Sequence, residues 1–394
     1  MQHKDERSAA LIGMVTLAVA MGIGRFAFTP VLPMMQNDLG LSITVGGWLA
    51  AANYVGYFLG AVSAVWLRAS APTMIGLALA AVAVSTAAMG LVHDPVVWAL
   101  LRAVAGIASA WALVFASAWT LRLLAVRDRR GLNGVLFAGV GFGIAVAGIA
   151  CLLFLQPLHW SSDEAWLALG VLSALGTVIA WKVYRRLFHR LEAAVQRATE
   201  EQTGESGTPD RAWLLVICYG AFGFGYIIPA TFLPAMARAL VPDPAVFGWA
   251  WPVFGTAAML STLAAGYLTH HFSSRTLWVA GHLIMAVGVA LPVMWSGMTT
   301  IIIGALCVGG TFMVVAMTGL QLAREAAPRS PQGLMAAMTS SFALGQILGP
   351  VLVSLTGRRG LTDLSIAAAV ILTLSAIALL VGAGLDASRA EVPG

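Results

Sequence analysis

Charge is the first thing this sequence lacks. Of its 394 residues only 10% are charged, against 59% apolar, where a soluble domain carries about a quarter charged residues. That deficit excludes a soluble enzyme or a nucleic-acid-binding module, because there is no soluble domain on which a basic binding face could sit. Acids are scarcest where they would matter most: none of the 17 Asp and Glu falls in the middle of an apolar run. Cysteine is rare too. Cys151, Cys218 and Cys307 all lie inside apolar runs, at spacings that match no metal or disulfide frame, and read as small buried hydrophobes. No G-x-x-x-x-G-K-[ST] loop occurs, so neither a nucleotide nor any other cofactor is expected, and any transport must run on gradients.

What the chain does have is long apolar runs. About twelve stretches of roughly 20 residues, the length that crosses a bilayer as helix, follow one another from Ala9–Met34 to Leu334–Thr356 and Leu364–Leu385. The apolar run after MQHKDER is too long for a secretory signal, and no small-residue cleavage site ends it, so it is kept as the first span. One long polar stretch, Arg185 to Arg211, interrupts the series. The predicted organisation is a six-helix half at 1–185, a cytoplasmic linker at 186–211 and a second six-helix half at 212–394, an all-α membrane protein. With the N-terminus inside, the loops on the other side keep only Arg238, Arg358 and Arg359. The Lys/Arg bias therefore places both termini in the cytoplasm and accounts for the basic pI of about 9.4.

The two halves repeat. An offset of 201 positions carries GIGRFAFTPVLPMM (Gly22–Met35) onto GFGYIIPATFLPAM (Gly223–Met236) without a gap, and Val45, Gly47 and Trp48 onto Val246, Gly248 and Trp249. Such duplication sets the architecture before any other inference. Gly22, Gly24, Pro30 and Pro33 in the first copy, and Gly223, Gly225, Pro229 and Pro234 in the second, are expected to loosen helices that would otherwise be regular. Inside the first copy stands Arg25, whose repeat mate is Tyr226. An arginine at the centre of a membrane helix costs about 2.5–3.5 kcal/mol on insertion scales, and intramembrane charge therefore reads as functional.

Six helices, a cytoplasmic linker and a repeated six resemble the major facilitator superfamily, and the GIGRFxxTPxLPxM run from Gly22 resembles its YbfB/YjiJ-like branch. The resemblance implies a bacterial inner-membrane transporter, and a monomer, with its site near the midplane between two parallel repeats. Arg102, Gly106 and Ala110 fit the R-x-x-x-G-x-x-x-A pattern of the superfamily's fourth helix. Gly139, Gly143 and Gly148, and Gly345, Gly349 and Pro350, look like its glycine-rich fifth and eleventh helices, whose small residues permit close contact and rocking. The chain also departs from the pattern. After Gly60 comes Ala64 where the superfamily has an aspartate, and after Gly266 come His270 and His271. The latch made by that carboxylate must be weaker or built differently.

Two arginines within spans and no midspan acid favour an anionic substrate, a small organic carboxylate, since a low-dielectric cavity strengthens the attraction and the guanidinium fork matches a carboxylate. Candidate substrate contacts are Arg25, Tyr226, Arg102 and Ser109, with Asn53 and Tyr57 on one stripe of the second span that ends at Gly60. Each has a bland alternative. Arg25 can bond to carbonyls freed by Gly24, Pro30 or Pro33, or reach out to Asp38, and Arg102 can serve packing. Trp111 reads as packing and His282 as a structural histidine. A co-transported proton or counter-ion is compatible with this reading. So is a proton-coupled exporter of drugs or metabolites, although that activity would want a membrane-embedded carboxylate.

Overall fold

The computed structural model describes residues 2–155, 158–200, 212–240, 244–295, 297–328 and 331–390, with side chains left undescribed at 2–4, 43, 155, 192–200, 231–240, 244–250, 350, 353–361 and 383–390. Pro234, Pro350 and most of the expected linker thus fall outside what is described.

The first span breaks where glycine and proline gather. Helix α1 (Gln2–Leu17) widens into a π-helical turn, Ala18–Ile23, and α2 (Phe28–Leu39) resumes after a turn at 24–27 whose first and last residues keep right-handed helical angles. The widening is visible in the bonds from Gly24 N–H to Val19 O at 2.9 Å and from Phe26 N–H to Met21 O at 3.0 Å, each reaching back five residues. Pro30 sits in the first turn of α2, where its missing N–H costs no intrahelical bond. Pro33 lies inside α2 and removes one. Gly40, left-handed at φ 63°, ends α2 by donating its N–H to Met35 O.

The helices that follow are α3 (Ile43–Ala64), α4 (Ala71–Ala88), α5 (Pro95–Val126), α6 (Asn133–Leu155), α7 (Ser162–Glu200), α8 (Ala212–Leu240), α9 (Pro244–Leu268), α10 (Ser274–Met294), α11 (Met298–Ala326) and α12 (Pro331–Ala390). Side chains cap several of them: Ser42 accepts from Val45 N–H, Asp94 from Val96 and Val97 N–H, and Ser273 from Thr276 N–H, satisfying donors that a helix start leaves open. Ten stretches among the described residues are long and apolar enough to cross a membrane.

Helix α12 corrects one expectation. Two spans with a separate loop are predicted after Pro331, and the structure runs them together as one helical element of 60 residues, a length of about 90 Å if straight. It is not straight. Gly220 abuts Ser341 and Gly349 abuts Ile227, so the first limb runs parallel to α8; Gly225 abuts Leu372 and Gly382 abuts Leu214, so the second limb runs back along it. The chain reverses between Gly349 and Leu372, so both crossings exist and only the loop boundary differs.

Both halves use one packing rule. A Cβ on Gly139 would lie 2.1 Å from Met14 O and one on Gly143 2.4 Å from Ala18 O, while one on Gly345 would lie 2.5 Å from Gly220 O. Helix α6 thus meets α1 and the π segment after it, and the first limb of α12 meets α8, backbone to backbone as small residues allow. Gly56 and Gly60 press in the same way on Ala103 O and Ile107 O of α5. Between the halves, α6 packs on α9 and α3 on α12, and this seam is where the candidate site lies.

Candidate functional site

Arg25 occupies the turn between the π segment and α2 and is only 3% exposed. Its position follows from the break: the chain widens and turns here, which carries the side chain to the seam. One Nη2–H donates to Gln346 Oε1 on α12, so the first half is bonded directly to the second. The guanidinium carbon stands 3.8 Å from the centroid of the Tyr57 ring and 5.6 Å from that of Tyr54, within the range of cation–π attraction. Its Nε and Nη1 have no hydrogen-bond partner. Among the described residues no carboxylate pairs with it, and the alternative reach to Asp38 is not made. Asp38 instead accepts from Ser162 N–H at 2.6 Å.

Arg102 does the work that the bland alternative assigned to Arg25. Its Nη1 donates to Gly24 O at 3.0 Å and its Nη2 to Arg25 O at 2.9 Å, so it caps the carbonyls at the helix break. The Thr29 N–H that a regular helix would give to Arg25 O turns to Phe26 O. Ser109 Oγ lies 2.6 Å from both Ala20 O and Ala105 O, and its single proton can serve either. Asn53 Nδ2 donates to Arg102 O at 2.9 Å. Three residues expected to meet substrate, Arg102, Ser109 and Asn53, therefore commit donors to the backbone around Arg25 and hold it in place. Only Asn53 Oδ1 and Arg102 Nε among their buried polar atoms stay unpaired.

Tyr226 is buried in the same cluster as Tyr57, with Phe26 and Tyr54 packed against it. Its ring stacks on Phe312 at 5.0 Å and 19°, and on Phe342 at 6.3 Å and 25°. The repeat mates Arg25 and Tyr226 thus come to one region from opposite halves. The direct bond from Arg25 to the second half goes to Gln346, a residue outside the candidates that the sequence offers. The available signal was an amide inside a membrane span, next to Gly345; the repeat gave no pointer, since the offset of 201 puts Ala145 opposite it.

The other candidates separate cleanly. Trp111 Nε1 donates to Ser63 Oγ at 2.9 Å, a packing role. His282 is fully buried and its Nε2 accepts from Trp278 Nε1–H at 3.0 Å, against Phe222 rather than against Arg25. Gly22 abuts Gly143, Gly24 abuts Val82 and Gly223 abuts Phe342, so these glycines serve close approach.

Near the place of the missing latch carboxylate an amide bridges the halves. Gln332, near the start of α12, donates both Nε2 protons across the seam, to Ala64 O at 2.9 Å and Leu67 O at 3.0 Å. Ala64 is the last residue of α3, where helix geometry leaves acceptors open, and Leu67 follows it in the loop. Arg130 and Glu325 lie 3.8 Å apart at the same end of the bundle.

Comparisons with known proteins agree with this architecture. The family described as "Uncharacterised MFS-type transporter YbfB" matches residues 17–386. No sequence among curated proteins matches. A solved structure, that of the human organic anion transporter MFSD10 (TETRAN), superposes with a TM-score of 0.72 at 16% identity, covering 94% of this chain and 99% of that one; at that identity the likeness is one of fold.

Proposed function

The chain belongs to the YbfB-like family of major facilitator transporters, and from that premise we propose that it moves a small organic anion, a carboxylate, through a central cavity by alternating access. It is an integral membrane transporter and not an enzyme. The observation that carries the anion reading is the state of Arg25: a buried cation at the seam of the halves, with Nε and Nη1 unpaired and no carboxylate against it among the described residues. A guanidinium has five N–H donors, and Gln346 takes one. The remaining fork suits a carboxylate, and desolvation makes that pairing stronger than in water.

In this mechanism the two halves, 1–185 and 212–394, rock about their glycine-lined contacts. Substrate displaces or bridges the Arg25–Gln346 bond, loosening one link between the halves as it binds. Tyr57 and Tyr226 touch the substrate; Arg102, Asn53 and Ser109 act on it through the backbone they hold. A proton or counter-ion accompanies the cycle, the termini lie in the cytoplasm of a bacterial inner membrane, and the working unit is a monomer. Counterflow into proteoliposomes across matched acids, amines and neutral analogues tests the reading. Exchange of acids supports it, whereas exchange of lipophilic cations alone replaces it with a proton-coupled exporter.

A further inference from the structure

Five rings of the second half form one near-parallel series. Trp251 and Phe254 lie 5.5 Å apart at 14°, Phe254 and Phe312 5.4 Å apart at 17°, and Phe312 and Tyr226 5.0 Å apart at 19°, before Tyr226 meets Phe342 at 25°. These near-parallel rings come from four different helices, α8, α9, α11 and α12. Elsewhere rings meet in pairs of both kinds: Tyr219 and Trp278 at 88° and Trp119 and Tyr184 at 65° on edge, Phe28 and Trp166 at 24° and Phe154 and Trp160 at 18° stacked, whereas here five rings continue one array. Core filling has no need of parallel faces, since offset-stacked and edge-to-face pairs both satisfy the ring quadrupole. A parallel array, by contrast, offers ring faces to which one more ring can be added.

The array ends beside the cation. Phe342 and Gln346 are four residues apart on α12 and share a face, Gln346 is bonded to Arg25, and Tyr226 is Arg25's repeat mate. Tyr57 and Tyr54 stand against the guanidinium itself. A ligand whose carboxylate meets Arg25 thus has aromatic surface near its remaining atoms. An aliphatic chain would gain only contact area there, whereas a planar ring gains face-to-face contact as well.

We propose that the transported anion is an aromatic carboxylate, its ring seated against Phe312, Tyr226 and Phe342 while its carboxylate is held by Arg25. This rests on the anion reading of the same site and adds the ring as the second determinant. The two separate in one titration. Benzoate and cyclohexanecarboxylate carry the same charge at nearly the same size, and the saturated acid is the more apolar, so a preference for benzoate reports on stacking rather than on hydrophobic transfer. Benzylamine carries the ring with the opposite charge.

The experiment is calorimetric titration of the full-length protein in detergent with these three compounds, on wild type and on Phe312→Leu. Benzoate is expected to bind about tenfold tighter than cyclohexanecarboxylate, the scale of one or two added aromatic contacts, and the ratio should fall towards one in Phe312→Leu. Equal binding of the two acids to wild type overturns the aromatic proposal and leaves the anion reading standing. Preference for benzylamine over both acids, or binding of neither acid, overturns the anion reading and this proposal with it. An undiminished ratio in Phe312→Leu shows that the array does not read the ring. If Phe312→Leu does not fold, Phe342→Leu supplies the same comparison from the other end of the stack.

Discussion

Replacing Arg25 separates charge from geometry. The side chain is buried, bonded to Gln346, and faces Tyr57 at 3.8 Å. Lysine keeps the charge but replaces a planar fork by a compact ammonium. If the fork holds a carboxylate, Arg25→Lys weakens binding by the value of a charge-assisted bond, about 1.5–3 kcal/mol, which is about tenfold to a hundredfold in Kd. Arg25→Ala removes charge and fork together and loses at least as much. Tyr226→Phe removes one neutral hydroxyl and costs about 0.5–1.5 kcal/mol. The assay is calorimetric titration of an acid on variants whose thermal unfolding is measured in parallel. An Arg25→Ala protein that binds the same acid with unchanged Kd while unfolding at lower temperature would refute the reasoning: Arg25 would then be a structural link to Gln346, and the anion hypothesis would lose its main support.

Arg102→Leu leaves Gly24 O and Arg25 O without their donors; at about 1–3 kcal/mol for each unpaired buried group, the variant should show a clearly lower Tm, and a wild-type Tm would show that the break needs no cap. Gly56→Ala places a Cβ 2.1 Å from Ala103 O and should destabilise by about 1–3 kcal/mol as overpacking, while Gly47→Ala, with nothing within 4 Å, should leave thermal unfolding unchanged. His282→Ala should lower stability, by loss of the Trp278 contact, yet retain part of its transport. Complete loss of transport in a folded His282→Ala protein would make that histidine a proton relay. Cysteines placed at Ser206 and Thr362 should react with an impermeant label from opposite sides of the membrane, and labelling of both from one side would overturn the twelve-span topology.

The long-range partnerships were not open to sequence reasoning. Arg25 and Gln346 are separated by 321 positions, and no repeat or spacing relates them. The division of labour between Arg25 and Arg102 was likewise hidden. Both are arginines in apolar spans, and only the placement of α5 against the helix break shows which one serves the freed carbonyls and which keeps Nε and Nη1 unpaired. The parallel rings were invisible for the same reason: Phe254, Phe312 and Phe342 are ordinary apolar residues of three separate helices until packing aligns them. The place where α12 turns back also went unforeseen, because apolar periodicity reports that a stretch is helical and apolar but not where a chain reverses.

What the sequence by itself determined is what depends on local composition and on duplication. Segment length and apolarity made the chain a membrane-spanning helical bundle, since backbone polar groups in lipid must be satisfied within a helix. The repeat made it two halves, and glycine and proline placed a break beside Arg25. Only the tertiary structure decided which donors remain free. A buried polar group is paired or left open according to what the surrounding helices bring within about 3 Å, and that depends on how α2, α5 and α12 converge on one seam.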